Sequence, residues 1–533
     1  MKKLKLVCVA IAMACATPTL AGGLLTNTNQ HVAFDRMMSR EASIGIDGVY
    51  YNPAGVVFMS EGHHLAINWQ LAFQTRTINN DYALFTNNVN NPITPRDFKG
   101  TAFAPVIPSF QYAYNKGKWS FQASFALTGG GGKCTFDDGL GSFEKIVAET
   151  AIAACQLAGA VDQVAGAYGV PAIFSNNQCF GTEGKYSYNS YMHGRQYYYG
   201  LSVGAAYKFC DNFSAFLGVR GVYALTNYYG YVENINVGNM PLYKVLDPTK
   251  ESSANIELSC DQSGVGFTPI IGVDYKTGRW NFSAKYEFKT RIRLKNKSVN
   301  QTPSIGNLPA NLANQMTGIL TAKYQQAGLP LEQAKQQAEN TTNTVLADPT
   351  VGATMVGLKT QFDQKLNKAI GEYEDGKKIA GDIPAYLALG VGYSPVDAVR
   401  VNAGFHWFDD KNATSYNNRN KELKRGTLEY NAGVEVDVNK KITLSTGWQN
   451  TNYGLSDEYM DDKSFVVSSN SVAIGGVYHI NKKMDLNVAY FHTFYQHKKT
   501  TETVQLTADI SRNYSSDYTR NNNVFAVGLD INF

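Results

Sequence analysis

The sequence predicts an all-β protein, a 14-stranded antiparallel transmembrane β-barrel. Three observations carry that class. The composition is rich in Tyr (33), Phe (27) and Gly (48), with Pro at 16 and charged residues at 17%, below the roughly 25% of ordinary globular domains. Long runs alternate apolar and polar residues with period two. The connections between those runs alternate between short and long, which a sandwich has no reason to do.

The chain begins with a positive stretch (Lys2, Lys3, Lys5), then "LVCVAIAMACA", then "TLA" at 19–21. This reads as a secretory signal peptide over 1–21, too short for a membrane span. No later segment holds eighteen consecutive apolar residues, so no transmembrane helix is expected after it. Residues 22–61 follow, without strand periodicity but too apolar for a disordered tail. A barrel of fourteen strands has a lumen wide enough to leak, and irregular backbone at membrane depth needs protein or water around it. The segment is therefore expected to fold into the lumen as a plug.

Strands follow within a barrel domain over 62–533. The runs are 63–78, 101–115, 118–129, 196–209, 212–232, 263–276, 279–294, 383–394, 397–409, 423–437, 440–453, 466–480, 483–497 and 522–533. Over 280–294, Trp280, Phe282, Ala284, Tyr286, Phe288, Ile292 and Leu294 share one face. Asn281, Ser283, Lys285, Glu287, Lys289, Arg291 and Arg293 share the other. Such a length suits a tilted membrane-spanning strand. Short turns such as "NKGK" and "KTG" are placed on the periplasmic side. The long insertions 130–195 and 295–382 are placed outside.

The pattern changes to a period of 3.6 inside the long loops. The insertion at 141–168 reads helical. Leu312, Met316, Ile319, Leu320 and Tyr324 make one stripe, and Met355, Leu358, Phe362, Leu366 and Ile370 another. These helices either pack over the barrel mouth or form an apolar groove that first captures a hydrophobic ligand. Cys134, Cys155, Cys179 and Cys260 are expected in outer loops, with one or two disulfides in any of three connectivities, and Cys210 in a periplasmic turn.

The stretch "GIDGVYYNPAGVVFM" resembles the N-terminal hatch motif of the FadL/TodX-type outer-membrane transporters of long-chain fatty acids and hydrocarbons. The resemblance centres on Asn52, Pro53, Ala54 and Gly55 behind Tyr50 and Tyr51. It extends to "GGLLTNTNQHVAFDRMMSREAS" and to "PVIPSFQYAY" at 105–114. It implies a monomeric barrel with an internal hatch, passive transport of fatty acids or similar hydrophobic molecules, release through the hatch or a lateral opening at a kinked third strand, and no covalent chemistry or cofactor. It also implies an outer membrane location, with outer-membrane lipid and the barrel-assembly machinery as partners. "IDGV" departs from the family's usual approach to the tyrosines, the loop at 295–382 has no match, and no lumenal ligand residue carries over.

From the residues themselves, a fatty acid's carboxylate calls for a lumenal cation, and Arg holds it best. Arg220, Lys285, Lys289 and Arg291 are expected to face inward, to bind such a group or to pair with Glu287. Pro105 and Pro108 lack ladder donors, and Gly129 and Gly130 within "LTGGGGK" pack a strand poorly. Together these four are candidates for a lateral gate between strands two and three. Alternatives are an adhesin acting through its outer loops and a haem receptor using His31, His63 and His64, although adjacent histidines on a strand face opposite sides. No metal site, acid–base constellation or clustered basic patch for nucleic acid is found, and the net charge is only +4.

Overall fold

The computed structural model describes residues 24–533 except 177, 304–305, 357–371 and 507–509. The expected signal peptide with Cys8 and Cys15, and the stripe residues Leu358, Phe362, Leu366 and Ile370, lie outside the described residues.

Fourteen antiparallel strands close into a barrel. They are β1 (Gly62–Tyr82), β2 (Arg96–Lys116), β3 (Trp119–Phe136), β4 (Tyr186–Cys210), β5 (Phe213–Val237), β6 (Ile256–Thr277), β7 in two pieces (Trp280–Glu287 and Arg293–Gln301) and β8 in two pieces (Lys378–Ala380 and Tyr386–Val396). Then come β9 (Val399–Phe408), β10 (Thr427–Asn439), β11 (Ile442–Asn452), β12 (Ser469–Asn481), β13 in two pieces (Met484–Tyr495 and Lys498–Gln505) and β14 (Ser511–Asn532). β14 pairs with β1 from His64↔Asn532 to Tyr82↔Tyr514, which closes the sheet and leaves no edge.

Alternation places the side chains opposite to those of a soluble fold. Ile67, Trp69, Leu217, Phe282, Val488 and Phe525 are exposed on the outer face, while Asn68, Gln70, Gln111, Gln122 and Gln449 are buried inside. An apolar exterior around a polar interior is stable only when lipid surrounds the barrel. No helix among the described residues is long and apolar enough to cross a membrane. At one end the connections are two residues long, as at 117–118, 211–212 and 278–279, and the long loops stand at the other.

Several strands outrun their expected limits. β4 starts at Tyr186 rather than 196, and β14 at Ser511 rather than 522. These extensions stand beyond the membrane band, where water or loops cover both faces and alternation fades. β7 is not one uninterrupted strand. Glu287 pairs with Ile270, whereas Lys295 pairs with Ser263, so one extra residue lies between. A one-residue bulge turns every later side chain to the opposite face. Ile292, Leu294 and Asn296 are therefore buried inside, and Arg291 and Arg293 point out.

The loops carry α3 (Gly141–Ala167), α4 (Leu308–Gln326) and α5 (Leu331–Leu346), after two short helices, α1 (Val32–Met37) and α2 (Gly48–Tyr51), in the N-terminal segment. Leu312, Met316 and Leu320 form the buried stripe of α4 as their spacing requires. The expected loop disulfides are not formed. Cys134, Cys155, Cys179 and Cys260 are free, and Cys134 and Cys260 sit on β3 and β6 instead of in loops.

Candidate functional site

Residues 24–59 lie inside the barrel and touch its wall all the way round. The segment is short of regular structure, so its polar backbone is satisfied partly by its own turns and partly by inward-facing wall side chains. Ser109 Oγ and Gln111 Nε2 donate to the Gln30 carbonyl at 2.7 and 2.6 Å. Asn281 Nδ2 donates to the Ala42 carbonyl at 2.9 Å. α1 lies so close to β10 and β11 that a Cβ at Gly433 or Gly447 would collide with the Met37 carbonyl oxygen. Glycine is required there.

The turn at Asn52-Pro53-Ala54-Gly55, with Val56 after it, is fastened on four strands. Asn52 Nδ2 donates to Asp274 of β6 at 2.5 Å, and Asn52 Oδ1 accepts from the Gly55 amide at 3.1 Å. Gln122 of β3 donates to the Pro53 carbonyl and Ser214 of β5 to the Ala54 carbonyl, each at 2.7 Å. Asn115 of β2 donates to the Val56 carbonyl at 2.8 Å. Asn52 thus shapes the turn and holds it to the wall at the same time.

Buried charges fasten the rest of the segment. Arg36 pairs with Glu435 of β10, and Arg40 reaches both Glu435 at 3.1 Å and Asp47 at 2.7 Å. His406 of β9 stands between two carboxylates, 2.7 Å from Glu41 of the segment and 2.8 Å from Glu429 of β10. Sequence reasoning missed these two clusters. Their one visible sign was the inward position of His406 and Arg400 on a strand otherwise apolar on its other face.

The carboxylate candidates separate into two groups. Arg220 and Lys285 come together, with Glu287 between them. Arg220 binds Glu287 through both Nη atoms at 2.6 and 3.0 Å, and Lys285 Nζ donates to Glu287 at 3.0 Å and to the Tyr50 carbonyl at 2.6 Å. Lys285 also lies 3.9 Å from the centre of the Tyr50 ring. Both cations already hold a carboxylate. Lys289 and Arg291 are not brought to this cluster. Lys289 binds the Asn412 carbonyl at 3.1 Å, and Arg291 is exposed, because the β7 bulge turns this stretch over.

Two apolar sites accompany this framework. An outer cavity of about 100 Å³ is lined by Val147 and Leu157 of α3, Phe180, Ile235, Leu246 and Leu312 of α4. Deeper in, Phe34, Met38, Tyr50 and Tyr51 of the segment pack against Ile107 of β2, Leu127 of β3 and Phe491 of β13. The Phe34 and Tyr51 rings are stacked 5.5 Å apart.

That inner cluster borders a break in the wall. β2 and β3 pair up to Phe103↔Lys133 and again from Phe110↔Phe125, and among the described residues no ladder pair joins the strands between. Pro105 and Pro108 lie in this stretch of β2, and Gly129 and Gly130 in the facing stretch of β3. Toward β4, β3 carries two register shifts, at Leu127/Gly129 and Gly130/Gly132. Gly130 has φ +70°, a conformation that other residues rarely adopt. The N-terminal segment takes up the unpaired groups of β3. Asn27 N donates to the Thr128 carbonyl at 2.9 Å, and Asn27 Nδ2 donates to the Gly130 carbonyl at 2.7 Å.

No protein-family model and no curated protein matches the chain. Among solved structures, the fold is similar to that of a Pseudomonas aeruginosa FadL homologue at TM-score 0.58 and 13% identity, over 96% of this chain and 100% of the other. The Ralstonia pickettii toluene transporter TbuX gives TM-score 0.45 at 12% identity, over 92% of this chain and 94% of that one. The Pseudomonas putida toluene transporter TodX gives 0.45 at 14%, over 97% and 100%. The first likeness shows that this chain has the FadL-type barrel fold, and the other two add no argument to it.

Proposed function

We propose that this protein is a passive outer-membrane channel for hydrophobic molecules such as long-chain fatty acids or hydrocarbons, with residues 22–61 acting as its hatch. The observation that carries the reading is the inner apolar cluster of Phe34, Tyr51, Ile107 and Leu127, which opens on the unpaired stretch of β2 and β3. A ligand first enters the outer cavity, whose lining is almost wholly apolar. It then moves to the inner cluster, where each buried methylene contributes about 0.8 kcal/mol. It leaves between β2 and β3 once residues 26–30 draw back, with Pro105, Pro108, Gly129 and Gly130 forming the gate.

No step makes or breaks a covalent bond, and flow follows the concentration gradient. The hatch holds the path closed through Asn52, His406 and the Arg36–Glu435–Arg40 cluster. Glu287 occupies Arg220 and Lys285, so a fatty acid carboxylate binds there only by displacing Glu287. An uncharged hydrocarbon has no such requirement. Uptake of labelled oleate and labelled toluene by cells with and without the protein tests the reading. Uptake that depends on the protein supports it, and equal uptake of both compounds in the two strains refutes it.

A further inference from the structure

The β7 bulge has an effect on the outside of the barrel. Beyond it, Arg291, Arg293, Lys295 and Lys297 alternate outward while Ile292, Leu294 and Asn296 are buried. Lys295 lies directly opposite Lys378 of β8, which is also exposed. Like charges facing each other across a ladder destabilise the pairing, and the protein supplies little to offset them. Among the described residues Arg291, Lys295, Lys297 and Lys378 make no ion pair. Nearby acids are mostly engaged. Asp382 is buried and holds Arg293 at 2.8 Å, Glu374 holds Lys377 at 3.6 Å, and Asp375 accepts from the Ser298 amide at 2.8 Å. Asp261 stands across from Lys297.

Their height on the barrel narrows what these cations can meet. Outward Trp280, Phe282 and Phe288 precede them on the same strand, and Val265 and Phe267 are exposed on β6 beside them. At about 3.3 Å per residue and a tilt of about 40°, Arg291 stands about 28 Å above Trp280. An outer-membrane barrel's apolar band is about 25 Å tall. The cations thus begin where the band ends, on the side of the long loops.

We propose that Arg291, Lys295, Lys297 and Lys378 form a docking stripe for phosphate-bearing lipid headgroups that surround the outer rim of the barrel. Charge complementarity selects this occupant. Phosphate oxygens supply the counter-charges that the paired lysines lack, and acyl chains lie along Phe267 and Phe288 below. The site is separate from the lumen, so transport does not depend on it.

The test compares wild type with R291Q/K295Q/K297Q, positions with no ion pair to lose, and with K116Q/K118Q at the opposite rim. Binding of lipid A to each purified protein in detergent is measured by native mass spectrometry, after heat-dependent gel mobility confirms that each is folded. Each cation beside an anionic surface contributes roughly fivefold in affinity, so the triple variant is expected to lose about a hundredfold, and K116Q/K118Q to lose none. Wild-type binding is also expected to weaken as sodium chloride is raised, a readout that needs no variant. Inorganic phosphate alone is expected to leave the melting temperature unchanged. Equal lipid A binding by wild type and the triple variant, binding insensitive to salt, or stabilisation by inorganic phosphate equal to that by lipid A would each overturn the proposal.

Discussion

The barrel wall departs from a regular ladder in two places, and the two departures differ in kind. Between β2 and β3, rungs are missing from Phe103 to Phe110, because two prolines bring no donors and β3 swings toward β4 through two extra residues. The N-terminal segment fills the vacancy through Asn27. Between β6 and β7 the ladder lapses over a similar length, from Ile270↔Glu287 to Ser263↔Lys295, yet the wall stays joined. One extra residue is absorbed, Phe288 still donates to the Pro269 carbonyl at 3.0 Å, and pairing resumes at Ser263↔Lys295. Removing donors makes a gap that something else must close. Adding a residue keeps the wall closed and exchanges its faces. The same segment meets both regions, since Leu25 packs on the cluster that contains Ile292 and Ile383.

Both departures can be altered by deletion or substitution. The largest effect is expected from deleting Lys289. Without the extra residue, Arg293 and Lys295 turn inward among Ile379 and Val222, and each uncompensated buried charge costs about 3–5 kcal/mol. Gel mobility without heating should show little folded barrel. A normal yield of heat-modifiable protein would mean that the bulge does not set the faces.

Deleting Thr128 together with Gly131 removes both extra residues of β3 and preserves its alternation. Re-forming about three ladder hydrogen bonds with β2, at about 1 kcal/mol each, should slow opening roughly a hundredfold. The barrel should melt no lower, while hydrophobe uptake falls. Unchanged uptake by a straightened β3 would move the exit elsewhere.

His406→Ala leaves Glu41 and Glu429 facing each other without the ring between them. Its expected cost is about 3 kcal/mol of stability, read as a lower melting temperature together with a leak of small ions in planar bilayers. A leak-free, equally stable variant would show that the segment is held by its other contacts alone.

The smallest effect concerns Asp410, in the loop after β9, which accepts from the Leu24 amide at 3.4 Å and the Thr427 amide at 2.9 Å. Burial pushes its carboxyl up to about 6. The folded state then holds this proton more tightly than the unfolded chain does. Its contribution to stability is complete below about pH 4, is lost as pH rises through about 6, and is constant above that. Asp410→Asn should flatten that part of a melting-temperature profile, and an unaltered slope would assign it to another group.

Much of the fold was legible because period-two alternation holds wherever one face meets lipid and the other the lumen. Turn lengths then gave the two ends. The β7 bulge was not legible. Apolar residues stay at even positions from Trp280 to Leu294, yet they face lipid below Phe288 and the interior above it. Alternation records that two faces differ, without recording which face is inside, and the two environments change places at the membrane rim. Arg220, Lys285 and Glu287 could be read as lumenal from the same pattern. The partners that fix their role, Tyr50 and the carbonyls of an irregular segment, have no periodicity to read. Pro105, Pro108, Gly129 and Gly130 were visible because proline and glycine act on the backbone directly.

In the proposed route, hydrophobic cargo leaves through the gap between β2 and β3 when the segment withdraws from it. A reducible cross-link tests this most directly. Ser109 of β2 already reaches the Gln30 carbonyl at 2.7 Å, so Gln30→Cys with Ser109→Cys, in a background where exposed Cys210 is serine, can be oxidised to tie segment and wall together. Uptake of labelled oleate should be lost in the oxidised protein and return on adding reductant. Equal uptake in the two states, with cross-linking confirmed by mass spectrometry, would contradict the account.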